Sequence, residues 1–444
     1  MKLSAGSSIR ELQVPTEVKI PVSQHIGAPA QPVVAVGDVV KVGQLIAQAT
    51  GFVSANIHSS VSGKVKKIED FVDANGYKKL GIVISVEGDE WVETIDRTSA
   101  VRREVTMSPA DIVKRVQEMG IVGMGGATFP AHVKLSVPAG KKCEALIING
   151  VECEPYLTSD HRLMLEHGEE VLIGVKILMR ALGVDQAYIG IENNKKDAID
   201  NLTRLASSFE SITVQPLKLR YPQGGEKQLI DACIGRQVPS GKLPIDVGAV
   251  VQNVGTVYAI YEAVQKNKPL VERIVCVTGK PLREPSNFLV RIGTPVSDLI
   301  EAAGGMPEDC GKVIGGGPMM GRAFTRLDVP VVKGTSGITL MSVEDSKRKE
   351  VRNCIRCAKC VSVCPMGLQP FLMSTLAKLG RYDDLRANHV MDCIECGCCI
   401  FTCPSNRPIL DYVRMGKARV GAQLRAEAAA RKAAAEAAKA SEAK

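Results

Sequence analysis

The sequence predicts a multidomain protein of the α/β and α+β classes. Its 444 residues are enough for about three domains at roughly 150 residues each. Three sequence patterns follow one another along the chain: short segments typical of β-strands, alternating strands and helices, and closely spaced cysteines. Each pattern indicates a different kind of domain. With 23% charged and 45% hydrophobic residues, the composition is globular and excludes a collagen, a coiled coil or a disordered chain.

Residues 15–93 are predicted to form a β-rich domain, because short β-branched stretches alternate with glycine turns and no long helical period occurs. The segments VAVGDVVKVGQLIAQ and IHSSVSGKVKKI resemble the β-sandwich of biotinyl and lipoyl carrier domains. Such carriers need a lysine on an exposed hairpin, and no lysine occurs between Lys41 and Lys64. We therefore expect the domain to serve in packing or docking rather than as a carrier.

An α/β domain is predicted next. Its first helix begins at Ser108, a natural N-cap, with Pro109 at the first helical position and Asp111 completing an approximate capping box. Beyond it the patterns alternate, which predicts a largely parallel sheet covered by helices. Strands are predicted at 144–149, 186–191 and 212–219, and helices at 162–182, 195–207 and 226–234.

Residues 271–340 return to short strands and glycine clusters, interrupted by a helical stretch at 296–303, which predicts a small α+β module. The chain ends in the low-complexity sequence AEAAARKAAAEAAKASEAK. This segment favours a helix by propensity but has no apolar face to bury, so we expect a mobile or partner-ordered tail.

Cysteine usage is the strongest compositional signal, because nine of the 14 cysteines lie between Cys354 and Cys403. They form two runs of the pattern C-x2-C-x2-C-x3-C-P, which is the bacterial ferredoxin pattern and predicts two [4Fe–4S] clusters. In such runs the fourth cysteine ligates the other cluster. The predicted ligands are therefore Cys354, Cys357, Cys360 and Cys403 for the first cluster, and Cys393, Cys396, Cys399 and Cys364 for the second.

Zinc is the alternative for these cysteines, but duplicated runs of three closely spaced thiols followed by Cys-Pro are not typical of zinc sites. The remaining cysteines fit neither run. Cys398 is expected to be a packed thiol beside a cluster, and the others are expected to be small buried hydrophobic residues. These others are Cys143, Cys153, Cys233, Cys276 and Cys310.

A glycine-rich loop, GMGGATFP, occupies residues 123–130, with Lys134 four residues further on. It does not match the dinucleotide fingerprint, because Thr128 replaces the third glycine and the loop follows a predicted helix rather than a strand. Its backbone amides could nevertheless approach a phosphate or a flavin ring, with Lys134 supplying positive charge.

Polar residues follow two of the predicted strands. In parallel sheets ligands bind beyond the carboxyl ends of the strands, so Asn149, Glu152 and Glu154 are candidates for contact with a ligand. The last predicted strand runs likewise into Tyr221 and Glu226. The alternative for the three glutamates is that they are solvated loop carboxylates.

Charge and hydropathy exclude several classes of protein. The net charge is +8, partly from the tail, and with only 4% aromatic residues a nucleic-acid-binding surface is not expected. No window reaches the length of about 18 uncharged apolar residues that a membrane span needs, and the N-terminus lacks an apolar secretory core. We expect a soluble or peripheral protein that faces the cytoplasm.

Four sequence blocks together carry a resemblance to a known family: GMGGATFPAHVK, INGVECEPYLTSDHR, YPQGGEKQL and VQNVGTVYAI. In this order before two ferredoxin runs, they resemble the RnfC family, the C subunits of the Rnf ion-translocating electron-transport complexes. The likeness covers residues 10–412, and the middle of an RnfC chain is similar to the flavin-bearing, NADH-binding subunit of respiratory complex I.

The resemblance implies a non-covalent FMN and a nicotinamide, NAD(H), that stacks on the flavin. Glu154 and Tyr221 correspond to positions near the nicotinamide and the flavin edge. The implied flavin contacts are Gly123, Gly125, Gly126, Lys134, Asn149, Glu152, Glu226 and Asn253. Three positions depart from the complex I pattern: Met124 replaces an arginine, Val151 an acidic residue and Gly225 a glutamate.

The resemblance also refines the domain prediction. It implies a barrel-sandwich-hybrid-like β domain (1–105), a Rossmann-like α/β flavin and NADH domain (106–267), a β-grasp-like ligand-binding module (268–342), a two-cluster ferredoxin-like domain (343–412) and an Ala/Lys/Glu-rich tail (413–444).

The implied function is that of a peripheral NAD(H)-linked oxidoreductase subunit on the cytoplasmic face of the cell membrane. The implied partners are the other subunits of a membrane-bound Rnf complex, with ferredoxin reached indirectly through one of them. No transmembrane segment of the chain's own and no nucleic acid are expected. Two alternatives stay open: a diaphorase subunit of a soluble NAD-linked hydrogenase or formate dehydrogenase, and an electron-relay scaffold without flavin.

Overall fold

The computed structural model describes residues 2–74 and 76–442, with side chains to residue 435. The chain divides into two compact units, residues 1–238 with 242–346, and residues 239–241 with 347–444. The first unit holds the β domain, the α/β domain and the α+β module, and the second holds the two cysteine runs. Within the described part of the chain, no helix is both long and apolar enough to cross a bilayer.

The β domain is built from two small sheets around a core of Val18, Ile20, Ile46, Ile57 and Ile82. One sheet has the antiparallel strand order β2-β8-β7-β4, and the other the order β3-β5-β6. The strands are β1 (Ile9–Glu11), β2 (Glu17–Pro21), β3 (Gln31–Pro32), β4 (Val39–Val40), β5 (Leu45–Gln48), β6 (Ile57–His58), β7 (Gly63–Val72) and β8 (Lys78–Val86).

The loop between β5 and β6 is docked onto the α/β domain. The carbonyl oxygen of Phe52 lies 2.9 Å from Nε2 of His132, and Nδ2 of Asn56 donates to the Glu118 carbonyl at 3.1 Å. The buried Lys333 ammonium, from the α+β module, donates to the carbonyls of Asn56 and Gly120, each at 2.7 Å. Because this loop contains no lysine and is held at Phe52 and Asn56, the contacts support the packing interpretation of the domain.

The α/β domain contains a four-stranded parallel sheet of order β11-β10-β9-β12. Successive residues of β9 face opposite sides: Leu146 and Ile148 join the larger core under the helices, while Ile147 packs in a second core with α6. The strands are β9 (Ala145–Asn149), β10 (Ala187–Glu192), β11 (Ile212–Leu217) and β12 (Ala249–Asn253). The helices are α1 (Pro109–Glu118), α2 (Ala131–Leu135), α3 (Ser159–Glu166), α4 (Gly168–Leu182), α5 (Lys196–Ala206), α6 (Glu226–Ile234) and α7 (Val254–Gln265).

Two elements of this domain differ from the sequence prediction. The single helix predicted at 162–182 is two helices, because the backbone leaves the helical region at His167. Residues 166–170, EHGEE, contain no apolar side chain and include Gly168, an interruption that the prediction of one continuous helix overlooked. The strand β12 and the helix α7 were not predicted, since no turn separates them: the Asn253 side chain caps the helix directly by accepting from the N–H of Gly255 at 2.9 Å.

The α+β module is a six-stranded mixed sheet of order β1-β14-β13-β17-β15-β16, with α8 on its core. The strand β1, which lies within the predicted first domain, pairs in parallel with β14 of this module instead. The remaining elements are β13 (Glu272–Thr278), β14 (Ser286–Arg291), α8 (Val296–Ala302), β15 (Cys310–Gly315), β16 (Arg322–Ala323), β17 (Gly337–Ser342) and α9 (Val343–Ser346).

The second unit repeats one backbone motif at its two cysteine runs. Arg356 and Ala358 have φ of 55° and 57°, and the equivalent Glu395 and Gly397 have 57° and 81°. A short helix follows each motif, and longer helices supply the core. The helices are α10 (Lys359–Ser362), α11 (Pro370–Lys378), α12 (Tyr382–Ala387), α13 (Cys398–Phe401) and α14 (Ile409–Glu442).

The start of the segment 413–444 is part of the folded unit, so this unit extends beyond the predicted bound at residue 412. Helix α14 begins before residue 413 and runs through Glu442. Val413 and Val420 are buried with Leu385 and Met373 in the core of the unit. The low-complexity sequence is helical from residue 426 to residue 442, as its propensity predicts, whereas the first turns of α14 have an apolar face that packs in the core.

Truncation should therefore depend on where α14 is cut. Removal of everything after Ala430 should leave iron content and NADH-dependent dye reduction unchanged, because the buried residues of α14 remain. A cut after Asp411 should lower the iron content by about half or more, since it removes Val413 and Val420, whose loss costs several kcal/mol. Iron and sulfide analysis of both purified truncations tests this, and equal cluster content in the two would contradict it.

Candidate functional site

The carboxyl ends of β9 and β12 lie side by side, since Asn149 and Asn253 are paired residues in the parallel register. The Asn149 side chain donates to the Gly224 carbonyl at 2.8 Å and accepts from the N–H of Val151 at 3.2 Å. Asn149 thus joins the end of β9 to the segment that precedes α6, as expected for polar residues at one edge of a parallel sheet.

The two ends of the glycine loop lie next to each other, because the N–H of Gly123 donates to the Phe129 carbonyl at 2.9 Å. Gly125 packs against the Asn253 side chain so closely that a Cβ would lie 2.7 Å from its amide nitrogen. At Gly126 a Cβ would meet nothing within 4 Å. Among the described residues, the N–H groups of 125–127 make no hydrogen bond, and all three residues are exposed.

A charged pair lies beside the end of β12. The Lys134 ammonium is 2.7 Å from Oε1 of Glu226 and donates to the Val251 carbonyl at 3.1 Å. Both side chains are partly exposed, so the pair lies at the surface of the site. Three free backbone amides with a lysine nearby suit an anionic group such as a phosphate, and a loop without side chains lets a flat ring approach closely.

The Glu152 carboxylate is engaged by the start of α3. It accepts from the Ser159 hydroxyl at 3.1 Å and from the N–H groups of Asp160 and His161 at 3.0 and 3.3 Å. Glu152 itself has φ of 46°, so the loop turns sharply there. The alternative of a freely solvated carboxylate is therefore wrong for Glu152 in this structure.

The Glu154 carboxylate reaches the glycine-rich hairpin between β15 and β16. It accepts from the N–H of Met319 at 3.1 Å and of Met320 at 2.6 Å, and the Tyr221 hydroxyl lies 3.5 Å away. Gly317 is required here, because a side chain at that position would collide with Glu154. Burial raises the pKa of Glu154, while the donated hydrogen bonds act in the opposite direction. Glu154 is not a solvated loop carboxylate either.

The three departures from the complex I pattern are accommodated without charge. Met124 is buried and its N–H donates to the Thr256 hydroxyl at 2.9 Å. Val151 is fully buried in the core shared with α6, and Gly225 is the N-cap residue of that helix. None of the three positions therefore contributes a charge at this site.

Sequence reasoning missed several residues at this edge. Asp160 accepts from Nδ2 of Asn253 at 2.7 Å, and burial, with a further contribution from the Glu152 carboxylate, raises its pKa. Lys2 donates to the carbonyls of Glu152 and Glu154 at 2.8 and 3.0 Å. Asp160 lies inside the quoted block LTSDHR, which could have indicated it, whereas nothing in the sequence indicates Lys2.

The cysteines of the second unit fall into two groups. Burial raises the pKa of the Cys360 thiol, and the nearby thiols of Cys354 and Cys403 raise it further. These three cysteines form the first group. In the other group, Cys364, Cys393, Cys396 and Cys399 line one cavity, together with Cys398 and mainly apolar residues.

The pKa values of the second group are raised first by burial and then by the neighbouring thiols. Burial raises the pKa of Cys399 to about 12, and Cys393, Cys396 and Cys364 contribute to the rise. The pKa of Cys396 is likewise raised to about 12, chiefly by burial. Cys364 thus lies near the first three cysteines of the second run, and Cys403 lies near Cys354 and Cys360 of the first.

No three His, Cys, Asp or Glu side chains within residues 2–74 and 76–442 converge as they would around one metal ion. A [4Fe–4S] cluster does not require such convergence, because each thiolate binds a different iron. Of the scattered cysteines, Cys143 and Cys276 are buried as expected for small hydrophobic residues. Cys153, Cys233 and Cys310 are only partly buried.

Four families match successive parts of the chain. Residues 1–89 match the RnfC barrel sandwich hybrid domain, and residues 116–262 match the Nuo51 FMN-binding domain. Residues 274–323 match the SLBB domain, and residues 346–404 match the 4Fe-4S dicluster domain. These matches and the geometry above define the class: the chain is an electron-transfer oxidoreductase subunit whose cofactors are FMN and two [4Fe–4S] clusters.

Whole-chain relatives identify the family. The C subunit of the proton-translocating ferredoxin:NAD(+) oxidoreductase complex of Clostridium ljungdahlii is 48% identical over 87% of this chain and 84% of its own length. The C subunit of the Na(+)-translocating complex of Acetobacterium woodii is 44% identical over 93% and 92%. The chain therefore belongs to the RnfC family, the C subunits of the ion-translocating ferredoxin:NAD(+) oxidoreductase complexes.

A chain of the NAD+-reducing [NiFe]-hydrogenase in the H2-reduced state has a similar fold, with a TM-score of 0.50 and 19% identity. The similarity covers 69% of this chain and 61% of that chain. At this identity the likeness concerns the fold alone.

Proposed function

We propose that this chain exchanges electrons between NAD(H), FMN and two [4Fe–4S] clusters as the peripheral subunit of a membrane-bound, ion-translocating ferredoxin:NAD oxidoreductase. The observation that carries the proposal is that one chain combines an open glycine loop at a parallel-sheet edge with two groups of neighbouring cysteines. A flavin supplies the conversion between two-electron hydride transfer and one-electron transfer, and the protein orients it.

The flavin would be held by the edge where β9 and β12 end. In the proposal, the free N–H groups of the glycine loop face the phosphate, and the open space above Gly126 receives a flat part of the cofactor. Lys134 balances negative charge, while its pairing with Glu226 fixes its position. The proposed binding residues are Gly123, Gly125, Gly126, Lys134, Asn149, Glu152, Glu226 and Asn253.

Glu152 and Asn253 would act mainly by shaping this edge. Glu152 anchors the turn after β9 to the start of α3, and Asn253 both caps α7 and contacts Asp160. Glu154 and Tyr221 are proposed to lie nearer the nicotinamide. Their contacts with each other and with the hairpin at Met319 support a role in positioning the dinucleotide rather than in transferring protons.

The cluster ligands are proposed to be crossed between the two runs. Cys354, Cys357 and Cys360 would bind the first cluster with Cys403, and Cys393, Cys396 and Cys399 the second with Cys364. The grouping of Cys360 with Cys403 and the shared cavity of Cys364 with the second run support this assignment.

We further propose the cytoplasmic face of the membrane as the location, other subunits of the complex as partners, and ferredoxin as an indirect partner. The bounds that the resemblance implies for the first three domains, with a Rossmann-like α/β domain and a β-grasp-like module, remain part of the proposal. The relatives of 44–48% identity favour this assignment over a diaphorase subunit of a soluble hydrogenase, because the hydrogenase likeness is one of fold alone.

NADH-driven dye reduction by the purified chain with added FMN tests the proposal. Iron–sulfur absorbance without bindable FMN would favour the relay scaffold instead.

Replacing Glu154 with Gln should leave FMN bound and lower NADH turnover by roughly tenfold. The amide can accept through only one oxygen, so a charge-assisted hydrogen bond from Met319 or Met320, about 1.5–3 kcal/mol, is lost. Because the pKa of Glu154 is raised, the wild-type turnover should fall at acidic pH as this carboxylate takes up a proton.

Steady-state kinetics across pH, alongside extractable FMN, test this prediction. In the Glu154→Gln variant the dependence of turnover on acidic pH should flatten. Glu308→Gln, at an exposed position of the α+β module whose hairpin contacts Glu154, is the matched control and should behave as wild type. Loss of FMN from the Glu154 variant, or unchanged turnover, would place the nicotinamide elsewhere.

A further inference from the structure

The two cysteine runs repeat one backbone motif but differ strongly in charge. Residues 347–363 contain six basic residues and one acidic residue, for a net charge of +5. The equivalent residues 386–402 contain one basic and two acidic residues, for a net charge of −1, with histidine neutral. A difference of this size between two copies of one motif points to different surroundings for the two loops.

The two copies also differ in exposure. Every residue from 351 to 359 is exposed, including the thiols Cys354 and Cys357. In the equivalent stretch, 390–398, only Met391 is exposed. Ile355, between two of the predicted cluster ligands, is 68% exposed, whereas its counterpart Ile394 is partly buried.

One pair of equivalent residues shows the physical origin of the difference. Glu395 lies in the second run and is held by two cations of α14, Arg414 at 3.1 Å and Lys417 at 3.2 Å. Its counterpart in the first run is Arg356. Within the described residues, neither Arg356 nor Lys359 forms an ion pair, so their charges face solvent. The second loop is neutralised and covered by the chain itself, and the first loop is not.

We propose that exposed residues 351–359, the first-run surface, dock the acidic face of another subunit of the complex that carries a one-electron centre. This inference rests on the proposed function. One electron passes between the first cluster and the partner's centre: one of them is oxidised as the other is reduced, and no bond or proton is exchanged. Docking at this loop brings the partner next to two of the cluster's ligands.

The chemistry of the first-run surface favours a protein over a lipid surface. Along the sequence, Arg352, Arg356 and Lys359 alternate with exposed cluster ligands and with the exposed Ile355. This combination of a charged rim with a small apolar part is found at protein interfaces. Charged rims of this kind mainly accelerate association, and their effect is screened by salt. Binding through the first-run surface should therefore weaken steeply with ionic strength.

The test is reassembly of the full-length, cofactor-loaded chain onto membranes that hold the other subunits but lack this one. The double variant Arg356→Glu, Lys359→Glu should bind at least about tenfold more weakly at low salt, with less dependence on ionic strength. Lys64→Glu, Lys176→Glu changes the net charge equally at exposed positions of the first unit and should bind as wild type. The conservative variant Arg356→Lys, Lys359→Arg should also bind normally.

Other outcomes would overturn the proposal. The double variant could bind as well as wild type, or the Lys64 and Lys176 control could lose as much binding as the double variant. The unmodified chain could bind equally well to protein-free vesicles of anionic lipid. It could also form a salt-sensitive dimer that the double variant dissociates. NADH-dependent dye reduction should be unchanged in every variant. If the unmodified chain fails to reduce dye, the proposed function is wrong. The binding measurement then still tests, independently, whether residues 351–359 dock the partner.

Discussion

Replacing Gly126 with Val is expected to release FMN and abolish NADH-dependent dye reduction while both clusters remain. A Cβ at this position would meet nothing within 4 Å in the protein, so the fold has room for the side chain. The only proposed occupant of that space is the flavin, and forcing a branched side chain against it costs about 1–3 kcal/mol or more, which is at least about a fivefold loss of affinity. Extractable FMN, iron content and dye reduction measure the three expectations.

The neighbouring glycine shows why Gly126 is the informative choice. A Cβ at Gly125 would strike the Asn253 side chain, so a variant there would disturb the protein itself. Gly51→Val is the matched control, because it also meets nothing within 4 Å but lies in the β domain. If the Gly126 variant retains stoichiometric FMN and oxidises NADH normally, the flavin is not bound above the glycine loop.

Replacing Cys364 with Ala should remove the second cluster, although Cys364 belongs to the first run. The variant should lose about half of the iron, because one of four ligands is missing from the cluster held by Cys393, Cys396 and Cys399. The cavity that Cys364 shares with these three cysteines gives the physical reason. Iron analysis and electron paramagnetic resonance of the reduced protein distinguish the two clusters.

Two further variants complete this experiment. Cys403→Ala should remove the first cluster, and Cys398→Ala should leave both, since Cys398 lines the same cavity but is not a proposed ligand. Spectroscopic loss confined to the first cluster in the Cys364 variant would refute the crossed assignment.

The main architecture could be predicted because its signals are local. Ser108 as an N-cap, the helix at Glu226–Ile234 and the alternating strands of the parallel sheet depend on residues close in sequence. The cysteine spacing likewise indicated two clusters, in agreement with the dicluster family match. The break at His167 was overlooked although residues 166–170 contain no apolar side chain, and the direct passage from β12 to α7 escaped prediction because no turn separates the two elements.

The contacts of the site were less predictable, because they join distant parts of the chain. The rule that ligands bind beyond the carboxyl ends of parallel strands was enough to place Glu152 and Glu154 at a strand end. It did not give their hydrogen-bond partners: that of Glu152 lies on α3, and that of Glu154 on a hairpin more than 160 residues away. Lys2 reaches the same loop from the N-terminus. Long-range contacts of this kind depend on how the modules pack, which periodicity does not encode.

The most direct test of electron transfer through the flavin is anaerobic addition of NADH to the purified full-length chain loaded with FMN and both clusters. We expect the flavin absorbance to bleach and electrons to appear also in the clusters, seen by electron paramagnetic resonance, with the Gly126→Val variant inactive in both readouts. Clusters that stay oxidised while bound flavin is reduced, or clusters reduced by NADH in a chain without FMN, would contradict this expectation.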